Sequence, residues 1–105
     1  MFKVIISGAA GRMGRSLVLG VQESNEFTLL GAFESEGNES LGLDVGELAG
    51  IGKPGVLLSP SDESLIEQAD VMIDFSSPAA SISNAEICAE SGTALVIGTT
   101  GIDSE

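Results

Sequence analysis

Apolar residues recur along this chain in short blocks, and the blocks alternate between two periods. Phe2 to Ile6 is apolar except for Lys3, is rich in β-branched residues and stops at Ser7-Gly8. Such a run predicts a buried parallel strand. Met13, Leu17 and Val21 then recur at i, i+4 and i+8 with Val18 beside them, which predicts a helix from about Arg12 to Ser24 with Met13 in the core. Asn25 is a fitting stop. Phe27 to Phe33 is apolar again, predicts a second strand and ends at Glu34. Residues 35–54 carry many glycines with Asn38, Ser40 and Pro54, and predict a long loop with little regular structure. Loops of that length are often functional.

The second half repeats the alternation. Gly55-Val56-Leu57-Leu58 reads as a short strand. Ser59-Pro60-Ser61-Asp62 predicts a helix start with Ser59 at the N-cap, Pro60 at N1 and Asp62 at N3, running to about Gln68. Val71 to Phe75 is the next strand, and Ser76-Ser77-Pro78 repeats the cap-and-proline start. Ile82, Ala85, Cys88 and Ala89 mark the expected inward face of a helix that ends at Gly92. Ala94 to Ile97 is the last strand, followed by Gly98-Thr99-Thr100-Gly101. Strands alternating with helices predict an α/β domain, with a parallel sheet, right-handed crossovers and helices on both faces. The chain stops at Glu105 where another helix should begin, so the expectation is one truncated domain over residues 1–105, short of a covering helix.

Composition narrows the chemistry. The formal net charge is −12, from 16 acidic and 4 basic residues. That argues against nucleic acid or an anionic membrane surface as a partner. No apolar run approaches the roughly 20 residues of a membrane span. The first apolar run follows Met1-Phe2-Lys3 directly, leaving no room for a signal peptide, and a cytoplasmic location is expected. A single cysteine, Cys88, excludes an intrachain disulfide, and its place on an apolar helix face favours a buried inert thiol over a reactive one. Histidine is absent, which removes the commonest general base and metal ligand. No metal site and no catalytic residue are assigned within the chain.

The glycine-rich turn between the first strand and helix changes the picture most. Gly8-Ala9-Ala10-Gly11-Arg12-Met13-Gly14 has the spacing G-x-x-G-x-x-G, with Ala10 where a strict G-x-G-x-x-G loop has its second glycine. A helix N-terminus offers unpaired N–H groups and the positive end of its dipole, and glycines let a pyrophosphate approach. Two of the four basic residues, Arg12 and Arg15, fall beside this loop. Arg12 is a candidate phosphate or adenine contact, or else an exposed first-turn residue; Arg15 is expected to face solvent. Rossmann-type domains add an acid at the end of the second strand, about 20 residues on, for the adenosine ribose. Glu34 lies 20 residues beyond Gly14, though alone it would read as an ordinary solvated acid. Asp74 ends a strand as either a ligand contact or a structural hydrogen-bond partner. Ligands bind open parallel sheets at the carboxyl ends of the strands. The glycine loop, Glu34, Phe75-Ser76-Ser77 and Gly98 to Thr100 should therefore converge on one edge. Without the others, Gly98 to Gly101 would read simply as a turn with threonine caps.

With those residues assembled, the chain resembles the dihydrodipicolinate reductase (4-hydroxy-tetrahydrodipicolinate reductase) family of lysine and diaminopimelate biosynthesis. The resemblance rests on Gly8-Ala9-Ala10-Gly11-Arg12-Met13-Gly14-Arg15, the Leu41-Gly42 to Gly50 loop, Val71-Met72-Ile73-Asp74-Phe75-Ser76 and Leu95-Val96-Ile97-Gly98-Thr99-Thr100-Gly101. It implies a two-domain NADH- or NADPH-dependent oxidoreductase. The N-terminal part would bind the cofactor, and a C-terminal domain would hold the small-molecule dihydropyridine substrate and form a homotetramer. It implies cofactor contacts at Gly8, Ala9, Ala10, Gly11, Arg12 and Met13 for the pyrophosphate, and Glu34 for the adenosine ribose. Gly98, Thr99 and Thr100 would line the nicotinamide end. Where the family often has an arginine facing the 2′-phosphate of NADPH, this chain has Ser35, followed by Glu36. That departure leans the expectation toward NADH. The family's paired-histidine, lysine and Ser-Gly-Thr segments lie beyond residue 105, so this stretch alone is expected to be inactive. Two other classes share parts of the pattern: an S-adenosylmethionine methyltransferase, whose ligand lacks phosphates for Arg12 and Arg15, and a noncatalytic nucleotide-sensing module.

Overall fold

A computed structural model describes residues 2–50 and 55–98. In chain order its elements are β1 (Phe2–Ser7), α1 (Arg12–Glu23), β2 (Phe27–Phe33), α2 (Val45–Ala49), β3 (Leu58–Ser59), α3 (Glu63–Gln68), β4 (Val71–Asp74), α4 (Pro78–Ser91) and β5 (Ala94–Ile97). All strand pairs are parallel and the sheet order is β3-β2-β1-β4-β5. The chain builds outward from β1 to β3, then crosses back and builds outward again through β4. The reversal between β1 and β4 is the switch point at which open α/β sheets bind ligands.

Helices cover both faces, as expected. Val4 and Ile6 of β1 point to one side and pack with Val18 and Val21 of α1 and Val45 of α2. Ile5 points to the other side, with Ile66 of α3, Met72 of β4 and Cys88 of α4. The β1–β2 register slips by one residue between Val4 and Ile5. The extra residue in β2 puts Leu29 and Ala32 on the α1 face, and Leu30 and Phe33 on the other. It thereby sets which way the strand's last residues point.

Several expectations are corrected. Met13 is not core: it is 55% exposed, and Gly14 is buried in its place. The inward face of α1 runs Gly14, Leu17, Val18, Val21, because α1 lies so close to the preceding loop that there is no space for a side chain at Gly14. The 35–54 segment is not all loop; it holds α2, capped by Asp44, whose side chain accepts from the Gly46 and Gly55 N–H groups. The third strand is shorter and later than 55–58, since only Leu58 and Ser59 reach register with Ala32 and Phe33. Asp62 rather than Ser59 caps α3, accepting from the Ser64 N–H at 3.0 Å. Ser59 is instead still in the sheet, its carbonyl oxygen accepting from the Glu34 N–H.

The α4 cap is as expected, with Ser77 accepting from the Ala80 N–H ahead of Pro78, and Gly92 at the end. Its inward face is only partly so: Cys88 is buried and Ala85 half-buried, but the rest differs. Ser81, Asn84 and Cys88 are buried, while Ile82 is 66% exposed and Ala89 faces outward. Polar groups at the head of β4 draw this side of the helix inward.

The loop–helix contact makes a testable pair. A Cβ at Gly14 would overlap the Gly8 carbonyl oxygen and lie 2.6 Å from the Ala9 Cα, whereas one at Gly20, in the same helix, would meet nothing. Gly14→Ala should destabilise the chain by about 1–3 kcal/mol. Gly20→Ala should stabilise it by roughly 0.5–1 kcal/mol. Urea unfolding of both variants checks this; equal midpoints would show that α1 does not press on the loop.

Candidate functional site

The carboxyl ends of β1, β2, β4 and β5 bring the scattered sequence motifs together. After β1 the chain turns sharply at Gly8, whose φ is +83°. A side chain there would be both strained and blocked, because a Cβ would lie 2.6 Å from the Phe75 carbonyl oxygen. The turn aims two successive N–H groups, of Gly8 and Ala9, at the Phe33 carbonyl oxygen (2.9 and 3.1 Å). The Gly11 N–H closes the loop onto the Gly8 carbonyl at 3.1 Å. Gly11 is also the N-cap of α1, with no side-chain cap hydrogen bond. The helix thus begins with backbone donors that no cap side chain satisfies.

Glu34 follows β2 and leans back onto this loop. Its carboxylate accepts from the Ala10 N–H at 3.2 Å and from the Ser35 N–H at 3.1 Å. The acid and the glycine loop, 24 residues apart, are therefore in contact. Arg15 does more than face solvent: although exposed, its Nε donates to the Ala10 carbonyl oxygen at 2.9 Å and braces the loop. Arg12 and Met13 are exposed.

Two clefts meet at Gly8, Gly11 and Phe75. The larger, about 410 Å³, is lined by Ser7, Glu34, Ser35, Glu36, Pro60, Ser61, Ser76, Ser77, Ala80 and Asn84 in addition to those three. The smaller, about 290 Å³, adds Arg12, Met13, Gly14 and Gly98. Gly98 must lack a side chain because the Phe75 ring lies against it, and its N–H donates to the Asp74 carbonyl at 2.7 Å. Thr99 and Thr100, expected at this end, lie outside the described residues. Of the remaining expected residues, Gly8, Gly11, Arg12, Met13, Glu34, Ser35 and Gly98 line a cleft, while Ala9 and Ala10 spend their N–H groups on Phe33 and Glu34.

The charges are divided between the clefts. Glu34 and Glu36 edge the larger, and Arg12 with the N-terminus of α1 edges the smaller. The smaller suits an anion, and the larger suits groups that donate hydrogen bonds. Among the described residues there is no cluster of three or more His, Cys, Asp or Glu able to hold a metal, and no helix long and apolar enough to cross a membrane.

Asp74 is the structural partner rather than a lining group. It is 0% exposed, and accepts from the Ser76 N–H at 2.8 Å, from the Ser76 hydroxyl and from Asn84 Nδ2 at 3.1 Å. Asn84 also donates to the Ser7 hydroxyl at 3.3 Å. Sequence reasoning missed Asn84. The available signal was a polar residue three positions from Ser81 and four before Cys88, on the helix face that an Asp-ended strand would need.

A family model described as dihydrodipicolinate reductase, N-terminus, matches residues 2–105. A 4-hydroxy-tetrahydrodipicolinate reductase of Chromohalobacter salexigens is 43% identical over 105 residues, all of this chain and 39% of its own length. One of Afipia carboxidovorans is 47% identical over 102 residues, 97% of this chain and 38% of its own. Among solved structures, the dipicolinate-bound dihydrodipicolinate reductase of Paenisporosarcina sp. TG-14 superposes with a TM-score of 0.72 at 26% identity, over 96% of this chain and 38% of that one. An NADP-bound aspartate semialdehyde dehydrogenase of Candida albicans reaches 0.73 at 17% identity, over 95% of this chain and 30% of its own, a likeness of fold alone. The chain thus spans well under half the length of these relatives.

Cys88 lies on the buried side of α4. Burial, and then the negative charge of Asp74, push its thiol above the ordinary value of 9.0. The folded chain therefore keeps this proton where the unfolded chain releases it. The resulting stability is complete below that ordinary value and is lost as pH rises through the folded one. Alkylation by iodoacetamide at pH 8 should run at least about tenfold slower in the folded chain than in urea. Comparable rates would place the thiol at the surface.

Proposed function

Because this chain belongs to the family of dihydrodipicolinate reductase N-termini, we propose that it is the dinucleotide-binding part of a 4-hydroxy-tetrahydrodipicolinate reductase and binds NADH in preference to NADPH. The observation that carries this reading is the contact of the Glu34 carboxylate with the Ala10 N–H, which puts an acid on the rim of a glycine loop that opens a helix. The residues present fit a dinucleotide. The uncapped N-terminus of α1 and Arg12 would hold the pyrophosphate in the smaller cleft. Glu34 would accept from the adenosine ribose hydroxyls at the larger cleft, and Gly98 with Phe75 would border the nicotinamide end. A bound cofactor would supply a hydride; this chain's residues would bind and orient it. The relatives at hand are named as reductases, and neither a methyltransferase nor a sensing module gains support from them.

We assign substrate binding, proton donation and the tetramer contacts to the further length of those relatives, within a cytoplasmic enzyme of lysine and diaminopimelate biosynthesis. The 105-residue chain should accordingly bind cofactor without oxidising it. A cofactor absorbance assay with substrate present checks this, and sustained turnover would overturn it.

The cofactor preference follows from charge. Ser35 and Glu36 border the larger cleft beside Glu34, so a 2′-phosphate there would meet carboxylates and, among the described lining residues, no cation. Calorimetry should give NADH the lower Kd. Ser35→Arg should raise NADPH affinity about tenfold, the worth of one charge-assisted hydrogen bond. Tighter NADPH binding by the parent chain would sink the preference and leave the dinucleotide reading standing; failure to bind either would sink both.

A further inference from the structure

Asn84 is an unusual residue to bury. It is 3% exposed on α4, while Ile82 two positions earlier faces solvent. Burying an amide costs free energy unless its hydrogens are bonded. Both hydrogens of Nδ2 are used, one on the Ser7 hydroxyl at 3.3 Å and one on Asp74 Oδ2 at 3.1 Å. A carboxylate only accepts, so the nitrogen must be the atom that faces Asp74.

The two partners are register neighbours at the last rung of β1 and β4. Each directly precedes a residue that lines both clefts: Gly8 after Ser7, Phe75 after Asp74. There the two loops press closely together, leaving no room for a Cβ at Gly8 beside the Phe75 carbonyl. The other Asp74 oxygen, Oδ1, accepts from the Ser76 N–H at 2.8 Å. One amide on α4 thus reaches the glycine loop through Ser7 and the Phe75-Ser76 loop through Asp74.

We propose that Asn84 is a positioning residue of the dinucleotide cleft: it locks the ends of β1 and β4 together, and so fixes the glycine loop against Phe75 and Ser76. Its ligand readout rests on the dinucleotide reading above; its backbone readout does not.

The test uses the 105-residue chain with Asn84→Ala, Ser7→Ala and, as a control on the exposed side of α4, Ser83→Ala. Melting temperatures are measured first, and amide ¹H–¹⁵N shifts and NADH Kd by calorimetry are then read at a temperature where each variant is fully folded. Asn84→Ala should shift the Gly8, Ala9, Phe75 and Ser76 amides and weaken NADH binding about tenfold. Ser7→Ala should move the Gly8 and Ala9 amides and weaken binding by less. The control should move none of these. A lower melting temperature with the loop amides and Kd unchanged would reduce Asn84 to a stabilising residue and overturn the proposal. If the parent chain does not bind NADH, the dinucleotide reading falls and the amide shifts alone decide the positioning role. If Asn84→Ala does not fold, Ser7→Ala decides it, because that variant keeps the Asn84–Asp74 bond.

Discussion

The N–H groups of Gly8 and Ala9 both end on one atom, the carbonyl oxygen of Phe33. That double hydrogen bond ties the loop after β1 to the last residue of β2, and the rest of the site depends on it. To make it, the chain must turn at a positive φ and pass close to the Phe75 backbone, which only glycine allows at position 8. The same turn brings α1 in so tightly that Gly14 has no room for a Cβ. The helix then begins close to the strand ends. Glu34, next after Phe33, emerges beside the loop and reaches the Ala10 N–H. The sequence spacing between glycine loop and acid is the linear trace of this short path in space.

The same geometry separates charge in a chain that is otherwise acidic. A net charge of −12 would repel a dinucleotide's phosphates at long range, but salt limits that repulsion to about 8 Å at physiological ionic strength. Within that distance the local groups decide. Arg12 and the first backbone donors of α1 give the smaller cleft a positive edge, and Glu34 with Glu36 give the larger a negative one. A ligand carrying phosphate at one end of a segment and hydroxyls at the other is matched in a single orientation. An acid beside a glycine loop therefore does two jobs: it orders the Ala10 N–H, and it sets the polarity of the cleft.

The strand–helix alternation, the parallel sheet with helices on both faces and the convergence of the glycine loop, Glu34, Phe75 and Gly98 were legible because each depends on local pattern or on chain order. Apolar blocks fall at strand spacing, and parallel connections run one way. What was not legible depended on partners distant in sequence. Met13 has the right period for the core, but the Gly8–Gly14 contact turns the helix so that Gly14 faces inward. Ser59-Pro60 has the composition of a helix start, yet the Ser59 carbonyl is already committed to the Glu34 N–H, and capping passes to Asp62. The α2 turn hides in a glycine-rich stretch because Asp44, bonding Gly46 and Gly55, supplies the order that propensity lacks. For α4, alanine-rich spacing permits more than one inward face, and Asp74 chooses the one that carries Asn84.

That choice has an energetic cost that explains its position. A fully buried carboxylate is a poor stabiliser: an apolar pair of the same volume would usually do as well or better. Asp74 is tolerable because the Ser76 N–H, the Ser76 hydroxyl and Asn84 Nδ2 replace its water. What such a network supplies, and packed methyl groups do not, is direction. Each bond fixes an angle as well as a distance, and three of them converge at the end of β4, where the chain leaves the sheet. An apolar contact there would let the Phe75-Ser76 loop slide over the glycine loop at little cost. With the carboxylate in place, sliding exposes an unpaired buried charge. Ser7, Asp74 and Asn84 therefore sit buried under the cleft, where position matters more than the last increment of stability, and the aliphatic packing of Ile5, Ile66 and Met72 lies farther down the same face.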